Sequence, residues 1–83
     1  MMILVLEKVP VSLRGELTRW LLELKAGVFV GRVSALVRDL LWEQVEEKLK
    51  QGGGFLVYPT DNEQGFVVRQ VGVTNRWSPR EWG

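Results

Sequence analysis

The sequence predicts an α+β domain built in two layers, with helices on one side of an antiparallel sheet. Three patterns lead there. Residues 1–6 are apolar without a break and include β-branched members, as in a strand buried on both faces in the middle of a sheet. Two longer stretches, within residues 13–24 and 37–49, repeat apolar residues at intervals of three and four, the spacing of one helix face. Two more apolar runs, 55–58 and 66–73, flank the polar turn Asp61-Asn62-Glu63-Gln64-Gly65, which reads as a hairpin.

The elements follow in order. Pro10 ends the first strand, and Ser12 stands where an N-cap belongs. Leu13, Leu17, Trp20, Leu21 and Leu24 form the stripe of a first helix. Gly27 closes it as an αL cap, with Lys25 against the C-terminal dipole. Residues 28–30 make a short strand ended by Gly31. Ser34 caps a second helix, whose stripe is Val37, Leu40, Leu41, Val45 and Leu49 and which runs to about Lys50. Gly52-Gly53-Gly54 breaks it, and Pro59 closes the strand that follows. Trp20 and Trp42 sit at helical spacing and belong to the core. Strand, helix, strand, helix, strand, strand is the order of a ferredoxin-like sandwich with one strand split or irregular. Its second sheet face is left open, which suits a homodimer through the sheets.

Composition narrows the chemistry. The 83 residues suit one domain, 1–83, with 74–83 as a polar tail. A domain this small buries only a little over ~60% of its unfolded surface. Four Trp, three Phe and one Tyr enlarge the core, and self-association would add more. There is no Cys, which excludes disulfides and thiolate metal sites. There is no His either, which removes the commonest general base and transition-metal ligand. The apolar start is too short for a signal-peptide core or a membrane span, so the expectation is a cytoplasmic protein with no membrane partner. A net charge of +1 is a small footprint for a nucleic-acid binder. Any DNA site needs its charge concentrated, doubled by symmetry, or supplied in part by a partner.

From about Leu4 to Trp77 the chain resembles the CRISPR-associated protein two family, in its type I-E form. The resemblance rests on Val9-Pro10, Leu13-Arg14-Gly15, Trp20-Leu21-Leu22-Glu23, Ala26-Gly27-Val28, Val30-Gly31, Val33-Ser34-Ala35 and Trp42-Glu43-Gln44. It implies a homodimer of ferredoxin-like subunits and a larger partner, CRISPR-associated protein one, that carries the integrase chemistry. The dimer would brace duplex protospacer DNA and need no cofactor for that role. Some members are also credited with metal-dependent endonuclease or endoribonuclease activity, which would place Mg²⁺ at the dimer axis. A small ligand-sensing domain of the same fold, unrelated to nucleic acid, is a third reading that the motif string opposes.

Each candidate residue carries two readings. Glu7, at an acidic family position, would be the catalytic and metal-binding carboxylate of the nuclease, facing its copy across the two-fold axis. Otherwise it is a solvated strand-end Glu or a partner of Lys8. Arg14 and Arg38 each lie near a helix start, where a cation opposes the dipole. Both match basic family positions, and a phosphate would explain them. Otherwise Arg14 is paired on the surface, and Arg38 pairs with Asp39 or stacks on Trp42. Lys8 and Arg76 complete the DNA-binding set, Arg76 by a basic tail position of the family. Ser12, Leu36 and Trp77 stand where some relatives carry basic residues. Gly83 precedes a final apolar strand of longer relatives, so the partner docks differently or the chain is cut short. Asp39, Glu43, Glu46 and Glu47 read as a solvated acidic face, or as a surface for a basic partner. The Gly52–Gly54 run lacks the Lys and Ser/Thr of a phosphate loop.

Overall fold

The computed structural model describes residues 1–72. Seven elements follow one another: β1 (Met2–Leu6), α1 (Val11–Thr18), β2 (Leu22–Lys25), β3 (Val28–Gly31), α2 (Ala35–Lys48), β4 (Gly54–Pro59) and β5 (Phe66–Val71). The strands form one sheet in the order β2-β3-β1-β4-β5, and every neighbouring pair is antiparallel. This is the ferredoxin-like sandwich with an added edge strand.

As the unbroken apolar run implies, β1 is the central strand. Met2, Leu4 and Leu6 are buried. They join Phe29, Leu56 and Tyr58 from neighbouring strands and Leu13, Leu17, Leu41, Trp42 and Val45 from the helices in one core. Leu4 lies opposite both Phe29 and Leu56, so all three share the helix-covered face. Ile3 and Val5 lie on the other face and are not fully buried. The expectation of burial on both faces is therefore corrected: among the described residues, only the helix-covered face of β1 is fully buried.

The first helix is shorter than its stripe suggests. It stops at Thr18, whose hydroxyl bonds back to the Arg14 carbonyl at 2.9 Å. The chain then tightens, with the Arg19 and Trp20 amides reaching the Glu16 and Leu17 carbonyls three residues back. Residues 22–25 leave the helix and pair with β3. Leu22-Glu23-Leu24-Lys25 alternates with period two, so Leu24, a member of the expected helical stripe, suits a strand equally well. Tertiary pairing decided between them. Gly27 is consequently the turn of a β-hairpin, not a helix cap. It sits at φ 83°, and a Cβ there would strike the Leu6 carbonyl oxygen. Trp20, expected in the core, is 52% exposed, while Trp42 is 6% exposed as expected. Leu40 is exposed as well.

Helix starts differ in their chemistry. Ser12 does not cap α1; the N-cap is Pro10, with no side-chain bond. Ser34 caps α2 as expected, its hydroxyl accepting the Val37 amide at 3.2 Å. That helix ends at Lys48, two residues before the expected Lys50.

Candidate nucleic-acid interface

The topology sets the expected cations apart. Helix α1 follows the C-terminal end of β1. Helix α2 follows β3, whose last residue, Gly31, pairs with Met2 at the opposite end of β1. Arg14 and Arg38 therefore mark opposite ends of the helix layer, offset along the strand direction by the length of a strand of 5 residues, about 17 Å at the usual rise.

At the first end, Glu7, Lys8, Arg14, Ala26 and Gly27 border an open hollow of about 350 Å³. Glu7 is tied to the glycine run. Its carboxylate accepts the Gly53 amide at 3.0 Å, and its own amide donates to the Gly53 carbonyl at 2.9 Å. Gly52, at φ 70°, leaves no space for a Cβ, which would lie 2.8 Å from that of Glu7. The three glycines thus clasp the end of β1. Lys8 follows in a left-handed conformation, φ 53°, uncommon for a residue with a side chain. Arg14 donates from Nε to Glu23 Oε2 at 3.1 Å, and the Gly27 amide donates to the same oxygen at 3.0 Å. The Gly27 amide, and after it Arg14, hold the Glu23 carboxyl below the ordinary carboxylate range. Arg14 is therefore paired, and its two terminal nitrogens make no further hydrogen bond among the described residues.

At the second end, Arg38 donates from Nε to Asp39 Oδ1 at 3.1 Å. Its guanidinium carbon lies 3.9 Å from the centre of the Tyr58 ring, a cation–π distance. The ring it covers is thus Tyr58; the expected Trp42 lies in the core. Arg69 joins from β5, its Nη1 3.2 Å from the same Asp39 oxygen and its guanidinium carbon 5.3 Å from the Tyr58 centre. Asp39 is held below the usual carboxylate range, first by its hydrogen bond from Arg38. Tyr58, Arg69 and Glu23 were not singled out in the sequence. The signal for Arg69 was parity: it shares its strand face with Val67 and Val71, where a helix-covered face asks for apolar residues.

A family model described as CRISPR-associated protein (Cas_Cas2CT1978) matches residues 1–82. The chain belongs to this CRISPR-associated family.

Within that family frame, the remaining expected features fall into place or apart. Arg76 lies outside the described residues. Glu43, Glu46 and Glu47 are exposed and form a solvated acidic face, which Asp39 leaves by pairing with two arginines. Among the described residues, no three of His, Cys, Asp and Glu gather as metal ligands. Mg²⁺ takes an octahedron of oxygens and commonly one or two carboxylates. Among the described residues, Glu7 is the one carboxylate bordering the hollow, with one oxygen already bonded to Gly53. That donor set does not fit a metal by itself; a shared site would need the Glu7 of a second copy. No helix among the described residues is long and apolar enough to cross a membrane.

Proposed function

We propose that this CRISPR-associated protein, of the type I-E kind, is a non-catalytic DNA-holding adaptor of the spacer-acquisition integrase. A homodimer of it braces duplex protospacer DNA beside the larger subunit, CRISPR-associated protein one. The observation that carries this reading is the pair of guanidinium centres at opposite ends of the helix layer, each pinned by a carboxylate and each with N–H donors to spare. An offset of about 17 Å along the strand direction corresponds to roughly five base-pair steps, so both centres can reach one duplex. Such contacts hold phosphates and carry no sequence information.

The test is a salt titration of duplex affinity, with the larger subunit present, for Arg14→Ala and Arg38→Ala. Each variant is expected to weaken binding equally for unrelated sequences and to lower the log–log salt slope by roughly one for each phosphate no longer held. An unchanged slope in both sinks the reading.

The hollow that holds Glu7, Lys8 and Arg14 together favours one alternative, a metal-dependent nuclease acting through Glu7 at the dimer axis. Glu7→Gln separates the two, because the amide oxygen still accepts the Gly53 amide while the charge a metal needs is gone. The adaptor reading expects spacer acquisition to persist in this variant. Its loss, with fold and partner complex intact, would decide for the nuclease.

A further inference from the structure

We propose that Arg69 is the second arm of a two-pronged phosphate seat, in which Arg38 and Arg69, joined through one oxygen of Asp39 beside the Tyr58 ring, grip a single phosphodiester group. The inference rests on the DNA-holding reading above and adds a residue and a geometry to it.

Parity is the first ground. Arg69 lies opposite Leu56, a fully buried residue of the helix-covered face. An Arg between Val67 and Val71 on that face needs a reason. Edge position gives room for it, since β5 is the outer strand among the described residues and the Arg69 side chain stays 34% exposed. The second ground is charge. Two guanidiniums share one carboxylate oxygen, so the cluster retains one positive charge in excess, with like charges held close together. An anion would complete it. The third ground is order. Arg38 is 20% exposed and lies against the Tyr58 ring, so its planar fork is set before a ligand arrives. Planar forks match phosphate oxygens in pairs. Nη1 and Nη2 of Arg38, and Nε and Nη2 of Arg69, make no hydrogen bond among the described residues. Space is the fourth ground. A hollow of about 180 Å³ opens beside Arg38 and Tyr58, and Met1, Met2, Val33 and Pro59 complete its wall. Arg38 is its one charged side chain among the described residues, and Arg69 reaches the seat from beside this hollow, through the Asp39 oxygen it shares with Arg38.

Asp39 could instead hold Arg69 merely to staple β5 to α2. The two roles predict different measurements. Duplex affinity would be followed by fluorescence anisotropy across a salt series, with the chain alone and with the larger subunit. The variants are Arg69→Ala, Arg69→Lys, Arg38→Ala and the double Arg38→Ala/Arg69→Ala, with a thermal melt for each. Arg69→Ala should bind roughly fivefold or more weakly at moderate salt, and Arg69→Lys should recover little, because Lys supplies a point charge without the fork. Since both arms serve one phosphate, the double variant should lose no more slope than Arg38→Ala alone, about one unit for each seat in the bound dimer. Wild-type affinity and slope in Arg69→Ala, with a lowered melting midpoint, would make Arg69 a staple and overturn the seat while leaving the DNA-holding reading intact. A slope loss in the double variant about twice that of Arg38→Ala alone would also overturn it, since the arms would then serve separate phosphates. Failure of the wild-type chain to bind duplex DNA, alone and with the larger subunit, would end both ideas.

Discussion

Glu23 takes the Arg14 Nε–H and the Gly27 amide on one oxygen, and Asp39 takes two guanidiniums on one of its own. Both carboxyls titrate below their ordinary range, which lies near 4. The sign follows from linkage. A carboxyl whose folded pKa is depressed contributes stability that is complete above its unfolded pKa and disappears as pH falls through the folded value. Thermal midpoints should therefore hold steady from neutral pH down to about 5, then fall as acid protonates the two groups. The double variant Glu23→Gln/Asp39→Asn should start lower at neutral pH and show a shallower acid limb. Because the groups are solvent-screened, the effect should be modest and shrink with added salt. An acid limb parallel to that of the wild type would mean that these pairs do not couple to folding. At this scale the sequence was only partly legible. Ser34 stood out as a cap because a hydroxyl before an apolar-periodic stretch has one common use. Arg14 and Arg38 stood out through their dipole misplacement. Their partners did not, because Glu23, Tyr58 and Arg69 approach them only through the sheet register.

The hairpin of β2 and β3 is the element that periodicity could not reveal. Leu24 fits a continued helical stripe as well as a strand, and only the pairing of β2 with β3, turned at Gly27, distinguishes the two. Gly27 and Phe29 test that account. A Cβ at Gly27 meets the Leu6 carbonyl oxygen, and φ 83° is unfavourable for any L side chain. Gly27→Ala should lower stability by more than ~1 kcal/mol, the size of a favourable Gly replacement with its sign reversed. Phe29 is fully buried at the centre of the core, so Phe29→Ala should cost about 3–5 kcal/mol, enough to unfold much of a marginal small domain at ambient temperature. Removal of the α2 cap by Ser34→Ala should cost about 1 kcal/mol. Urea melts monitored by Trp fluorescence would rank the three, Phe29→Ala greatest. A negligible effect of Gly27→Ala would contradict the turn as described. The other elements were legible because each had one reading only: β1 as an unbroken apolar run, α2 as a capped stripe, and β4 with β5 around a polar turn.

At the scale of the molecule, both helices lie on one side of the sheet, and among the described residues the other face is apolar and open. Ile3 on β1 stands opposite Val30 and Val57, and Val57 stands opposite Val68. Leu22 pairs with Val30 at one edge, and Phe66 with Pro59 at the other. Ile3, Leu22, Phe66 and Val68 are all markedly exposed. A monomer this small gains little from one covered face, and a continuous apolar face of this kind is typical of an association surface. A second copy suits it because a two-fold axis sets like patches against each other without demanding a complementary partner. Symmetry would also double every guanidinium centre, which matters for a chain with a net charge of +1. Sedimentation at micromolar concentration is expected to find a dimer. Ile3→Lys and Val57→Lys place a charge in the middle of the proposed interface while leaving the helix-side core untouched. Each should yield a folded monomer by circular dichroism, because the charge remains solvated when the partner leaves. Duplex affinity of the monomeric variants should fall well beyond the effect of replacing one arginine, and their salt slope should approach half the wild-type value, because half of the phosphates are no longer held. A wild-type chain that sediments only as a monomer would remove the dimer. Folded monomeric variants that keep the full salt slope would show that one copy carries the entire DNA path.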